Sequence, residues 1–319
     1  MSIIDKAIHY FVDKDYRFLV NRNRGLLDGM SDEEYLKRLF HAKMGYDLEL
    51  NNPRTYSEKL QWLKLYDRRP IYTTMVDKYA VKEYVAGIIG EEYVIPTIGI
   101  YSSAEEIDFD TLPDQFVLKC THDSHDAVIC KDRKALDIDA AIQSLREGLK
   151  TNYYYKFREW PYKNVPPRII AEKYMEDTET GELRDYKIFA FNGTARALFI
   201  ATDRQTDGVE TKFDFFDMDF NHLPFTNGHP NADVMPSRPR KLDEMKLLAE
   251  KLSRGIPQVR VDFYEVDGRV YFGEMTFFHW SGLQPYDPKE WDETFGSWIE
   301  LPERYVSDQR TQEHGSVMG

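Results

Sequence analysis

The chain has 319 residues, 42% of them hydrophobic, 14% aromatic and 30% charged, which suits one large domain or two smaller ones around a sizeable core and excludes intrinsic disorder. Its 55 acidic and 42 basic side chains give a net charge of −13, which argues against nucleic acid as the main partner, because phosphate neutralisation needs a basic face. No run approaches the roughly 18 apolar residues of a membrane span, the start Met1 to Lys6 lacks a signal peptide's apolar stretch, and the two cysteines, Cys120 and Cys130, are expected as free thiols in a reducing cytoplasm.

Residues 3–19 carry Ile4, Ile8, Phe11 and Leu19 at helical spacing, which predicts a docking helix. A second helix is expected over 57–66, with Leu60, Leu63 and Leu65. A third follows Pro70 over 77–85 and stops near Gly87 and Gly90. Strand signals then take over. The segment 93–101 is rich in β-branched residues but contains Pro96, so an irregular start is expected. Two short apolar runs, 116–120 and 127–130, flank the polar bend 121–126 and read as a hairpin.

Ile138, Ile142, Leu145 and Leu149 mark an amphipathic helix over 137–150. Strands are expected over 168–175 and 185–191, the latter turning at Asn192-Gly193 into 194–203. Another helix, 242–254, ends at Gly255 and Pro257. The last elements are the strands 259–266 and 269–278, joined around Asp267-Gly268. Hairpins and helices in this irregular order indicate an α+β fold rather than a doubly wound sheet.

The final hairpin concentrates chemistry in Arg260, Asp262, Glu265, Glu274 and Thr276. Two carboxylates on facing strands suit a Mg²⁺ that also binds nucleotide phosphates, provided they share a face. Side chains alternate with period two, so a two-residue turn would put Asp262 and Glu274 on opposite faces. A loop of odd length is therefore predicted. Glu274 lies within an aromatic run, 271–278, where an unpaired acid is costly. Lys119 ends an apolar strand before the bend 121–126, whose N–H groups suit phosphate oxygens. Lys78 at a helix start and Lys187 on a strand are further cationic candidates. His122 and His125 fall short of a zinc site for want of a third ligand.

These motifs have a shared order, running from 52–67 (NPRTYSEKLQWLKLYD) and 77–81 (DKYAV) through 116–120 (FVLKC), 158–162 (REWPY), 170–175 (IAEKYM) and 185–187 (DYK) to 260–264 (RVDFY) and 273–276 (GEMT). Over residues 50–302 the chain resembles the ATP-grasp ligases, and within them the teichuronopeptide-biosynthesis (TupA-like) branch. The resemblance implies two α+β lobes clasping ATP. It divides the chain into an N-terminal helical extension (1–69), a first nucleotide-binding lobe (70–175), a C-terminal lobe with the metal site (176–302) and a flexible tail (303–319).

Roles follow from the resemblance residue by residue. Lys78 and Lys119 would bind the ATP phosphates, with Ser124 in the bend that folds over them. The backbone of Lys173, Tyr174 and Met175 would meet the adenine, and Glu172 its amino group. Lys187 and Arg204 would approach the γ-phosphate or the carboxylate substrate, Arg260 would steady an acyl phosphate, and Asp262, Glu274 and Thr276 would hold Mg²⁺. The chain departs from the family at the bend, where His125-Asp126 replaces glycine and puts an acid near the triphosphate. It departs again at Thr276, where many relatives carry Asn.

The implied activity is an ADP-forming carboxylate–amine ligase that acts on a small-molecule or glycan-linked carboxylate and an amine. Its setting would be cytoplasmic synthesis of capsule or other cell-surface polysaccharide, with peripheral association with the synthesis complex. Two alternatives stand beside it. One is a glycosyltransferase using an Asp-x-Asp metal motif, for which 217–219, 108–110 and 137–139 are three candidates. The other is a nucleotide-binding regulator without catalysis.

Overall fold

The structure is a computed structural model in which residues 3–123, 127–179, 183–202 and 210–305 are described. The chain opens with α1 (Ile3–Val12), α2 (Lys14–Asn23) and α3 (Asp32–Met44). The expected single helix over 3–19 is two, because the Asp13 carboxylate caps the second by accepting from the N–H groups of Asp15 and Tyr16. Splitting the helix breaks the apolar stripe. Phe18 is buried, whereas Ile8 and Phe11 are exposed.

Helix α4 (Tyr56–Tyr66) begins with a capping box, in which Thr55 accepts from the Glu58 N–H and Glu58 accepts from the Thr55 N–H. The third expected helix is found as α6 (Ala80–Ile89), starting three residues later than predicted, and an unpredicted short helix α5 (Ile71–Val76) precedes it, with Asp77 between them accepting from the N–H groups of Tyr79 and Ala80.

The first sheet has four antiparallel strands, β1 (Thr97–Tyr101), β2 (Phe116–Cys120), β3 (Val128–Cys130) and β4 (Ile169–Lys173), in the order β1-β4-β2-β3. Between β3 and β4 lie α7 (Ile138–Leu149) and α8 (Tyr154–Phe157). Pro96 stays outside β1, as its missing N–H requires. Leu118, Leu145 and Ile169 build the core of this lobe.

A second sheet of six strands forms the larger body, with β5 (Asp185–Phe191), β6 (Thr194–Thr202), β7 (Lys212–Asp217), β8 (His222–Leu223), β10 (Val259–Val266) and β11 (Arg269–Thr276) in the order β11-β10-β5-β6-β7-β8. A small pair, β9 (Thr226–Asn227) and β12 (Tyr286–Asp287), lies beside it. Period-two alternation sorts its central strands. Ile188, Val261, Phe263 and Met275 face a core shared with α9 (Leu242–Leu252), while Lys187, Arg260, Asp262 and Glu274 lie on the other face. Helix α4 joins this body rather than the small lobe. The Ser57 N–H and hydroxyl donate to Asp292 of α10 (Glu290–Ser297), and Lys59 donates to the carbonyls of Gly296 and Ile299. Two expectations concern residues outside those described: the tail beyond 305 and the tip of the bend at 124–126.

Candidate active site

The hairpin β10–β11 corrects one expectation and preserves what it was meant to secure. Its turn has two residues, Asp267 and Gly268, both at positive φ (50° and 73°), so the predicted odd-length loop is wrong. Asp262 nevertheless pairs directly with Glu274, because the register slips by one between Asp262 and Phe263. Phe263 opposes Phe272, which leaves Gly273 as the extra residue of a β-bulge. Glycine suits the position, since a Cβ there would lie 3.1 Å from both the Asp262 carbonyl and the Tyr264 ring. The bulge changes the parity that the turn length sets, and both acids reach one face.

On that face the residues form a row across four strands, with Glu274 opposite Asp262, Asp262 opposite Lys187 and Lys187 opposite Phe199. Asp262 is fully buried. Its Oδ1 accepts from Arg260 Nε at 2.7 Å, and its Oδ2 from Arg260 Nη2 at 2.8 Å and Lys187 Nζ at 2.6 Å. Burial alone would raise its pKa, but the two cations outweigh burial and hold the carboxyl at about 2. Lys187 also pairs with Asp185 at 3.2 Å. Glu274 is half-exposed, and its Oε1 accepts from Arg260 Nη2 and the Thr276 hydroxyl, both at 3.3 Å.

Arg260 is the hub of this end. Besides Asp262 and Glu274 it donates to the Thr276 hydroxyl at 2.9 Å and to His279 Nδ1 at 2.8 Å. An arginine cannot accept, so His279 Nδ1 is the acceptor, and its Nε2 carries the proton donated to Asn227 Oδ1 at 3.1 Å. Burial, reinforced by the Arg260 charge, keeps the imidazole neutral by pushing its pKa well below the ordinary value.

The small lobe contributes a second charged cluster. Glu172 on β4 is buried and salt-bridged to Lys82 of α6 and, at 2.5 Å, to Lys119 of β2. Burial opposes its ionisation, but the two ammonium groups prevail and lower its pKa. Lys82 also donates to the Ile95 carbonyl at 2.6 Å. Lys78 is anchored at the start of the bend, with its N–H on the Thr121 carbonyl and its ammonium on the Asp123 carbonyl. Burial lowers the Lys78 pKa, and the carboxylate that most opposes this is Glu274, from the other lobe. The charge of Glu274 is thus felt at Lys78 across the interval between the sheets.

Beside them, the segment 173–176 and the tip of the β10–β11 hairpin enclose a cleft of about 400 Å³. Met175, Val266 and Tyr271 supply apolar walls, with Lys173, Tyr174 and Arg269 at its rim. The negative charge of Asp185 above all, with burial, drives the Tyr264 phenol pKa well up.

Of the predicted site residues, Lys187, Arg260, Asp262, Glu274 and Thr276 come together at one end and Lys78, Lys119 and Glu172 at the other, with Lys173, Tyr174 and Met175 along the cleft. Ser124 and Arg204 lie outside the described residues. Lys82, His279, Asn227 and Tyr264 are additional members. Lys82 carried a signal, as it lies four residues after Lys78; the others lay in strands and aromatic runs that read as core.

The acids fit Mg²⁺ in kind and number, since that ion takes one or two carboxylates and completes its shell with phosphate oxygens and water. Glu274 is the more open of the two. Asp262 Oδ1 has accepted one hydrogen bond and keeps a second lone pair. Among the described residues, no group of three or more His, Cys, Asp or Glu could hold a metal, so no zinc-type cage is formed. All three Asp-x-Asp patterns are committed to turns or caps. Asp217 accepts from the N–H groups of Asp219 and Asn221, Asp108 from that of Asp110, and Asp137 caps α7 through Ala140.

Two α+β lobes, each with a cluster of cations and acids, and a cleft beside them are the arrangement of the ATP-grasp class of fold. The family model for TupA-like ATP-grasp proteins matches residues 58–300, and the chain belongs to that family. Membership sets it among the ATP-grasp enzymes. No curated protein matches the chain.

Among solved structures, the ATP-grasp ligase PsnB complexed with minimal precursor is 12% identical over 69% of this chain and 60% of its own, with a TM-score of 0.37. The D-alanine–D-alanine ligase of Bacillus anthracis complexed with ATP is 16% identical over 64% of this chain and 55% of its own (TM-score 0.38). The corresponding ligase of Helicobacter pylori is 15% identical over 76% and 69% (TM-score 0.41). The chain thus spans less than two thirds of the first two relatives' length, and likeness at these identities concerns fold alone. Among the described residues, no helix is long and apolar enough to cross a membrane.

Proposed function

We propose that the chain is an ATP-dependent, ADP-forming carboxylate–amine ligase. The observation that carries this reading is a pair of unlike charged clusters, one in each lobe and linked through the Glu274 charge acting on Lys78, with an apolar cleft beside them. Lysines 78 and 119 and Glu172 line the small lobe, and Arg260, Lys187, Asp262 and Glu274 line the large one. In this reading the apolar cleft of Met175, Val266 and Tyr271 takes the adenine, flanked by the 173–175 backbone, with Glu172 near its amino group. Lys78 and Lys119 neutralise the phosphates as point charges.

A substrate carboxylate oxygen attacks the γ-phosphorus, the bond to the β-phosphate oxygen breaks, and ADP leaves. The amine nitrogen then bonds to the acyl carbon as phosphate departs, and the nitrogen's extra proton passes to solvent or a base. Arg260 is already fixed by four partners, so its guanidinium can meet the developing phosphoryl charge without reorganising. Lys187, shared between Asp185 and Asp262, stands where the carboxylate would approach. Mg²⁺, held by Glu274 and Asp262 with Thr276 beside them, would supply charge neutralisation at the phosphates.

The family likeness further suggests a carboxylate and amine of cell-surface polysaccharide synthesis, handled in the cytoplasm. A glycosyltransferase finds no comparable support, because the first aspartate of each of its three candidate motifs is engaged by backbone N–H groups. The test is incubation with ATP, Mg²⁺ and pairs of uronic acids or peptide carboxylates with amines, following ADP and phosphate. ADP release that needs both acid and amine supports ligation. UDP-sugar turnover without ATP, or tight ATP binding with no turnover in any pair, would overturn it.

A further inference from the structure

Two motifs of the sequence, 56–67 and 158–162, contribute nothing to the two clusters described above, yet they send fully buried polar groups to one place. Lys64 of α4 is 0% exposed. Its ammonium donates to Gln61 Oε1 at 2.9 Å, to the Ser281 carbonyl at 2.8 Å and to the Ser281 hydroxyl at 2.8 Å. Three donors meet three acceptors, so the charged form is fully satisfied. The Ser281 hydroxyl passes its own proton to Glu159 Oε1 at 2.7 Å, and Gln61 Nε2 donates to the carbonyls of Ser281 and Gly282. Burial pushes the Lys64 pKa down and that of Glu159 up, each to about 7, with the partner's charge opposing the shift.

The object of these bonds is an unusual piece of backbone. Trp280, Ser281 and Gly282 have consecutive positive φ values of 48°, 58° and 63°. For tryptophan and serine this left-handed region is disfavoured, by roughly 1–2 kcal/mol per residue, and such conformations persist only where surrounding contacts over-determine them. Here the contacts are the bonds from Lys64, Gln61 and Glu159. Immediately before the turn stands His279, whose Nδ1 accepts from Arg260. A route of direct bonds thus runs from Lys64 and Glu159 through Ser281 and the turn to His279, Arg260 and the acids.

We propose that Lys64, Glu159 and Ser281 form a positioning clamp for the reaction: by fixing the 280–282 turn they hold His279 between Arg260 and Asn227, the two partners that set its Nε2–H tautomer, and His279 in turn steadies the Arg260 guanidinium at the reactive end. None of the three touches the substrates in this scheme. Their role rests on the ligase reading only for the rate it predicts, and its structural half can be read without any substrate.

The experiment compares the wild-type chain, Ser281→Ala, and the double variant Lys64→Met with Glu159→Gln, which removes both buried charges together and so avoids stranding either one. Ring-nitrogen NMR of histidine-labelled protein reads the His279 tautomer, calorimetry reads Mg·ADP affinity, and ADP release with the acid and amine found for the wild type reads kcat. The clamp predicts a single fixed tautomer in the wild type and tautomer averaging in both variants. It also predicts kcat lowered at least tenfold while Mg·ADP affinity stays within twofold. An unchanged His279 signature in the variants overturns the inference, as does a changed signature with an unchanged rate, or a slowed rate with an intact signature. If the wild-type chain turns over ATP with no acid and amine, the ligase reading fails by itself, and the His279 signature still decides the clamp.

Discussion

Glu172 in the small lobe and Asp262 in the large one are both buried carboxylates bracketed by two cations, yet they are built for different work. Around Glu172 both cations are lysines on separate elements, α6 and β2, each a point charge on a flexible stem. Around Asp262 one cation is an arginine, engaged through both carboxylate oxygens and tied to Thr276 and His279 as well. The first arrangement can release Lys119 to an incoming phosphate without collapsing, because Lys82 remains on the acid. The second cannot release anything cheaply. In the proposed ligase reading, the molecule thus combines an adjustable end for the nucleotide with a fixed end for the reaction, which suits chemistry in which ATP must enter but charge must be met in a set geometry.

The largest effect should come from the fixed end. Asp262→Asn removes the buried carboxylate that both Arg260 and Lys187 share, leaving them only the weaker charges of Glu274 and Asp185, so it is expected to cost about 3 kcal/mol of stability and to abolish turnover. Glu274→Gln, at a half-exposed position, should also cut Mg²⁺-dependent ADP release by roughly a hundredfold or more, with a melting temperature close to wild type. Thermal melts and ADP assays on both variants separate the roles. A fully stable Asp262→Asn, or a fully active Glu274→Gln, would break the contrast.

The small lobe offers the next test. Lys119→Met should weaken Mg·ADP binding by about tenfold, as loss of one phosphate charge does, with little change in unfolding midpoint. Lys82→Met should do the reverse, because Lys82 is tied to the Ile95 carbonyl and is the more buried of the pair (12% against 21% side-chain exposure). Equal losses of affinity in the two variants would mean that the lysines are interchangeable and the adjustable end is not built as described.

The same two ends differ in how far the sequence revealed them. Lys187, Arg260, Asp262 and Glu274 stand out in the sequence because they interrupt apolar strands, where a charge needs a partner, while the roles assigned to them come from the family resemblance. The route by which Asp262 and Glu274 come to share a face was not legible. Turn length and a bulge have the same effect on parity, and the sequence Asp267-Gly268 fits a two-residue turn as well as a longer loop. Gly273 was the available clue, a glycine inside a strand. The polar neighbours of Arg260 escaped for another reason. His279 and Asn227 come from segments 52 residues apart, and nothing local marks them as a pair. In the sequence, helix α2 reads as the end of one longer periodic stretch, 3–19, and α6 is set three residues too early; only the Asp13 and Asp77 side chains, accepting from backbone N–H groups just ahead of them, show where these helices begin.

The smallest predicted effect uses a third buried carboxylate as a control for the first two. Among the described residues, no cation is in hydrogen-bond contact with Asp292; its Oδ1 accepts from the Ser57 N–H at 2.8 Å and hydroxyl at 3.0 Å. Burial dominates and lifts its pKa to about 6, opposite in sign to Asp262 at about 2. The signs give opposite pH dependences. A raised acid binds its proton more tightly when folded, so Asp292 should make the fold more stable as pH falls from about 7 towards 4. A depressed acid contributes stability above its unfolded value and loses it below, so Asp262 should destabilise the fold as pH falls from about 4 towards 2. Urea midpoints measured across pH 3–8 should therefore rise and then fall on acidification. Asp292→Asn keeps the acceptor for Ser57 but cannot ionise; it should flatten the rise and stabilise the protein at pH 8 by about 1–2 kcal/mol. If the rise persists undiminished in that variant, the burial of Asp292 is not its source, and the distinction between a paired and an unpaired buried acid fails in the place where it is simplest to measure.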